Sequence, residues 1–250
     1  MELPRALRTA VIAATGSLLG LAAASPPAQS GPVVLELYTS QGCSSCPPAD
    51  ALFATFVTRT EVIPLSFSVD YWNYLGWVDT FAKHEFTERQ RAYALTRGDG
   101  QVYTPQVIVA GGAHVIGSDR AAIEAAIAIA QELPTVDVAV EVIGSVVHID
   151  VAAAFVGGPT WGTVWIVLFD TEEAVEIGRG DNAGRTVSYR NIVMDMHRLA
   201  MWRGEAMSFE LPFAEMEQAR ADGAAIIVQQ ERNGLPGPIV GAAMYTRPPA

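Results

Sequence analysis

Val33-Val34-Leu35-Glu36-Leu37-Tyr38-Thr39-Ser40-Gln41-Gly42-Cys43-Ser44-Ser45-Cys46-Pro47-Pro48 is the stretch on which the reading of this chain turns. Its first half is a near-continuous apolar run with β-branched residues, the pattern of a strand buried on both faces. Its second half holds the only two cysteines of the 250-residue chain, three positions apart. Two prolines follow them, and the first turn of a helix tolerates proline because its N–H groups lack intrahelical partners. Apolar residues at Ala51, Leu52, Ala54, Phe56 and Val57 extend that helix to Arg59. A Cys-x-x-Cys pair between strand and helix can hold a metal, staple the chain, or exchange electrons.

Composition bears on those three options. Zinc needs two further ligands, and no second cysteine pair exists. His84, His114, His148 and His197 are scattered, and each reads as a surface or hydrogen-bonded histidine. Cu(I) suits soft thiolates, but no methionine or histidine cluster accompanies the sulfurs. No metal and no cofactor are therefore expected. With 50% hydrophobic and 17% charged residues the chain has an ample core, so it needs no staple to fold. A loop this short also restricts the unfolded chain little. The formal charge of −11 argues against nucleic acid and against anionic membranes as partners.

The first residues read as an export leader over 1–28. Arg5 and Arg8 give a positive start, Ala10 to Ala24 is apolar, and small residues offer cleavage after Ala24 or Ala28. The apolar stretch is short of the roughly 20 residues of a membrane span. A periplasmic or secreted protein is expected, with no membrane contact beyond the leader. About 220 residues then remain for one large domain or two ordinary ones.

From residue 31 to 133 strand and helix patterns alternate. Val62 to Val69 is a second strand, and Thr80 to Arg97 reads as a helix that Gly98 ends. Gln106 to Ala110 and His114 to Ile116 form a hairpin around Gly111-Gly112. Asp119 caps an alanine-rich helix running to Leu133. Beyond Pro134, over 135–250, short strands dominate: Val136–Val142, Val146–Ala152, Thr163–Phe169, Ala206–Leu211, Ala225–Gln230 and Ile239–Tyr245. Their spacing suggests a β-sandwich. Asn191 to Trp202 is expected to be helical, and Phe213 to Ala221 a second short helical turn.

In a β-α-β-α-β-β-α order, Thr104-Pro105 directly before the third strand resembles the thioredoxin fold. There a cis-proline packs against the disulfide. The resemblance implies that Pro105 is cis and that Thr104 offers its backbone to an extended thiol partner; otherwise Pro105 is an ordinary trans residue opening a strand. The thiolate logic is local: a sulfur at a helix N-terminus faces unpaired N–H groups. Cys43 is expected to be the more exposed, attacking sulfur and Cys46 the resolving one.

The segment Asp70-Tyr71-Trp72-Asn73-Tyr74-Leu75-Gly76-Trp77-Val78-Asp79 carries four aromatics. Trp72 either lines a groove for a peptide or small apolar ligand, or covers the sheet edge. Asp70, at the end of the second strand, either relays protons to Cys46 or caps its loop.

The stretch from Leu35 to Asp50, with Asp70-Tyr71-Trp72-Asn73, Tyr103-Thr104-Pro105-Gln106 and Gly184-Arg185-Thr186-Val187-Ser188-Tyr189-Arg190-Asn191, is similar to a secreted, thioredoxin-like bacterial family of unknown function numbered 1223. That resemblance implies a thioredoxin-like α/β domain, a mainly β, sandwich-like C-terminal domain, and export; it names no substrate. The first functional reading is an exported thiol–disulfide oxidoreductase acting on exported proteins or small thiols. In it Cys43 and Cys46 are catalytic, and Thr104, Pro105, Trp72 and Asp70 bind substrate. The second is a binding protein with a static disulfide, and a third is copper handling through the two sulfurs.

Overall fold

The structure is a computed structural model and describes residues 31–248; the leader read over 1–28 lies outside the described residues. β1 (Val33–Thr39) and β2 (Val62–Ser68) are parallel neighbours, buried at every position. Between them α1 (Pro47–Phe53) passes into a 3₁₀ turn at Ala54–Phe56. After β2, α2 (His84–Arg97) leads to the antiparallel pair β3 (Gln106–Val109) and β4 (Ala113–Ile116), then to α3 (Arg120–Gln131). This is the expected β-α-β-α-β-β-α order.

The alternation along β1 explains the layers. Leu35 and Leu37 face α1 and α3 through Phe53, Phe56, Ile123 and Ile127. Val34 and Tyr38 face the opposite side, where Phe86 and Tyr93 of α2 pack. Asp119 caps α3 by accepting from the Ala122 N–H at 3.0 Å. Gly98 ends α2 at φ +73°, in the left-handed region that glycine enters without strain.

The second half is mostly strand. β5 (Val138–Ile143), β6 (Val146–Val151) and β9 (Met207–Pro212) form a three-stranded sheet. β7 (Gly162–Glu176), β8 (Thr186–Trp202), β10 (Gly223–Arg232) and β11 (Leu235–Thr246) instead extend the first sheet. The result is one eight-stranded sheet in the order β11-β10-β7-β8-β2-β1-β3-β4. The smaller sheet lies over it, with Val147, Ile149 and Phe209 against Ile166 and Ile226, as in a sandwich. α4 (Phe213–Gln218) is the expected short helical turn.

The segment from Asn191 to Trp202, read above as a helix, is part of β8. Its methionines, leucine and single alanine favour helix only by small propensity terms, and tertiary pairing overrides such preferences. Here β8 pairs with β7 from Trp202 back to Thr186.

The join between the halves is narrow. β8 meets β2 at a single backbone pairing, Ser66 with Ile192. Pro64 within β2 has no N–H to give, which prevents a longer ladder. Asn191 repairs the gap by donating its side-chain amide to the Pro64 carbonyl at 2.9 Å, while its own φ of +46° turns β8 away. Asn tolerates that region better than most residues.

The sheet also curls around α2. The Ile239 N–H donates to the Ala110 carbonyl at 2.9 Å, bringing β11 back to the β3–β4 turn. At that contact Gly111 has φ +68°, and a Cβ there would stand 2.2 Å from the Gly237 carbonyl oxygen, so only glycine fits. Among the described residues no helix is long and apolar enough to cross a membrane.

Candidate functional site

Cys43 and Cys46 form a disulfide immediately before α1, with their Cα atoms 5.4 Å apart. Two tight turns set it up: the Cys43 N–H donates to the Ser40 carbonyl and the Cys46 N–H to the Cys43 carbonyl. The Cys46 carbonyl then receives the N–H groups of Ala49 and Asp50, at 2.8 and 3.0 Å, opening the helix. Pro47 and Pro48 occupy its first two positions.

Both cysteines are buried, Cys43 to 2% and Cys46 to 0% exposure, while Ser44 and Ser45 face solvent. The expected contrast between an exposed Cys43 and a buried Cys46 is therefore absent. The second half of the chain bonds to the backbone of this turn. Asn182, at the tip of the β7–β8 hairpin, donates its amide to the carbonyls of Cys43 and Gln41 at 2.8 and 3.0 Å. The tip is held by Gly184 N–H to the Ile177 carbonyl at 2.7 Å. It also rests on the aromatic segment, for a Cβ on Gly178 would touch Trp77 at 3.3 Å.

Trp72 connects the cysteine turn to the segment before β3. It packs against Gly42, where an added Cβ would meet the Trp72 Cβ at 3.1 Å and its carbonyl oxygen at 3.2 Å, and its Nε1–H donates to Thr104 Oγ1 at 2.7 Å. The Thr104–Pro105 peptide is cis. Ser45 Oγ lies 3.5 Å from the Thr104 carbonyl oxygen. Four sequence-selected residues, Cys43, Cys46, Trp72 and Thr104, thus meet in one place, with Pro105 adjoining them. Trp77 acts differently, donating its Nε1–H to Gln41 Oε1 at 2.8 Å.

Asp70 is tied to α2 instead. It accepts from Thr87 Oγ1 at 2.6 Å and pairs with His84 Nδ1 at 2.9 Å. Burial acts against its charged form, but the bonds from Thr87 and His84 outweigh it and hold the carboxyl below its usual range.

The buried acid of the helix that follows the disulfide is Asp50, which sequence reasoning did not single out. It stands four residues after Cys46, so the two side chains share one helix face, and helical side chains lean toward the N-terminus. Thr39 Oγ1 donates to its Oδ1 at 2.7 Å, and its Oδ2 is buried with no partner among the described residues. Burial pushes its carboxyl up to about 7, and the charge of Asp79 adds to the rise. Asp79 is also raised by burial, although it accepts the Gln41 N–H at 2.8 Å. Tyr189 of β8 completes this interior; burial and the neighbouring charges of Asp50 and Asp79 hold its hydroxyl in the neutral form. The i to i+4 spacing of Cys46 and Asp50 was the available signal. Asn182 had none, since 139 residues separate it from Cys43.

Among the described residues no group of three or more His, Cys, Asp or Glu is placed to hold a metal ion. All four histidines face carboxylates: Asp70, Asp99, Glu210 and Asp195.

A family model for proteins of unknown function, DUF1223, matches residues 34–229, from β1 into β10. Among solved structures, a crystal structure of a protein from Agrobacterium tumefaciens is similar, with a TM-score of 0.77 and 37% identity. The likeness covers 88% of this chain and 96% of that one. No curated protein matches the chain. The matched region contains the cysteine turn, the aromatic segment, Thr104-Pro105 and the Asn182 hairpin, and it shows that the chain belongs to the DUF1223 family.

Proposed function

We propose that this protein is an exported thiol–disulfide exchange protein acting on exported proteins or small thiols. The observation that carries the reading is Asp50: a buried carboxyl four residues after Cys46 of the Cys43–Cys46 bond, with one oxygen that has no partner among the described residues. A group whose proton is held near neutrality suits an acid–base partner for a thiol.

The exchange balances as follows. A substrate thiolate attacks the Cys43 sulfur, forms a mixed disulfide, and expels Cys46 as a thiolate. The Asp50 carboxyl gives Cys46 its proton. A second substrate thiolate then displaces Cys43, which takes a proton from solvent, and the substrate leaves as a disulfide. Two electrons have passed from the substrate dithiol to the cysteine pair; solvent takes up the two protons of the ionising substrate thiols and returns two, one to Cys43 and one that restores the Asp50 carboxyl. In the reverse direction the Asp50 carboxylate takes the Cys46 proton as Cys46 resolves the mixed disulfide. Thr104 is the backbone against which an extended substrate lies, and Trp72 fixes that segment to the cysteine turn.

A second reading has its own observation: both cysteines are buried, and Asn182 is bonded to the backbone of their turn. In it the bond is static, and the exposed Tyr74 and Val78 of the aromatic segment contact a partner. One experiment separates the two. Cys46→Ser expressed with its leader in a bacterial host is expected to accumulate mixed disulfides through Cys43, visible as adducts that a reductant removes. Absence of adducts, with the folded variant present, rejects exchange and favours the static bond.

A further inference from the structure

In a β-sandwich the facing sides of the two sheets are filled by apolar side chains. β7 obeys this rule, since Val164, Ile166 and Leu168 are buried toward the smaller sheet. β8 breaks it. Asp195 stands opposite Leu168, and His197 opposite Ile166, so two ionisable side chains occupy inward positions where hydrocarbon would stabilise the layer better. They pair with each other, Asp195 Oδ2 to His197 Nε2 at 3.2 Å.

The layer stays open beside them. A cavity of about 240 Å³ lies between β6, β7, β8, β9 and α4. Its apolar wall comes from Val147, Ile166, Leu168, Leu211 and Met216, and Glu215 of α4 joins Asp195 and His197 in the lining. An apolar cavity with a few convergent polar groups is the usual form of a small-molecule site. Burial acts against ionised Asp195, yet the bonds from His197 and from the Met196 N–H, with the charge of Lys83, together hold its carboxyl below the usual range.

We infer that this cavity binds a small apolar amine, with its hydrocarbon body between Ile166, Leu168 and Met216 and its ammonium group on Asp195 and Glu215. The volume suits one ring with a short chain and is too small for a peptide. Two carboxylates line it against one imidazole, and the charge of Lys83 reaches Asp195 from outside the lining. An anion would meet both acids, and a neutral ligand would forgo a charge-assisted hydrogen bond. The site is separate from the disulfide and does not depend on exchange.

Phenethylamine is the probe, added to the mature chain and followed by calorimetry and by amide NMR shifts. The expected result is saturable binding of one molecule per chain, with shifts concentrated on β7 and β8. Asp195→Asn should weaken it at least tenfold. Leu211→Trp, which fills the cavity and leaves the acids in place, should abolish binding while the circular dichroism spectrum is kept. Phenylpropionate should not bind. No saturable binding, an affinity indifferent to both variants, or preference for phenylpropionate overturns the proposal.

Discussion

Asn182 and Cys43 are joined across 139 residues of chain by one hydrogen bond, 2.8 Å from the Asn182 amide to the Cys43 carbonyl. The cysteine turn is built by the first half of the molecule, and the second half bonds to its backbone. The exchange reading makes access to the sulfurs depend on attachment of the β7–β8 hairpin.

Asn182→Ala tests that link. It removes the side-chain donor from the Gln41 and Cys43 carbonyls, the second of which keeps the Cys46 N–H, at a cost of roughly 1–2 kcal/mol. Reduction of the disulfide by dithiothreitol should accelerate about tenfold, the factor that 1.4 kcal/mol of lost closure gives. Thiol alkylation after timed reduction reads the rate. An unchanged rate means that the hairpin does not guard the sulfurs.

Asp50 predicts an opposition between stability and activity. Its carboxyl is raised to about 7 in the fold, against roughly 4 in the unfolded chain. Between those values the native state holds the extra proton, so stability falls as pH rises through the window and levels off above it. Asp50→Asn should remove this slope and be the more stable protein above pH 7, by up to roughly 4 kcal/mol. It should also lose about a hundredfold of exchange rate. Urea unfolding at pH 5 and pH 8, beside turnover with a model dithiol, measures both. A variant as pH-sensitive and as active as the parent removes Asp50 from the mechanism.

Arg89 and Glu36 form a buried pair at 2.7 Å, with Tyr93 and Gln229 also bonded to the guanidinium. This network ties β1, α2 and β10 together. Arg89→Met strands a buried carboxylate and should cost about 3–5 kcal/mol. Adding Glu36→Leu should recover much of that loss, because the uncompensated charge is then gone. Chemical denaturation of the four proteins in the cycle gives the coupling. If the single variant is as stable as the parent, the network does not hold β1, α2 and β10 together.

Much of the first half was legible because its signals are local. Val33 to Thr39 and Val62 to Ser68 carry apolar runs, Asp119 carries its cap, and Gly98 its terminator. The second half was harder because its decisive contacts are long-range. Asn191 to Trp202 contains helix-favouring residues, and only pairing with β7 makes it a strand. The joining of the two halves through Ser66 and Ile192 is a single bridge with no sequence pattern of its own. The cysteine turn and Thr104-Pro105 were readable as a site. Asp50 was readable only as a position, since burial and not spacing is what shifts its proton.

The equilibrium reduction potential of the Cys43–Cys46 pair, measured against glutathione or dithiothreitol buffers, tests the exchange reading most directly. The account predicts a value within the roughly −120 to −270 mV span of known exchange proteins. A value below about −300 mV, the range of structural disulfides, would contradict it.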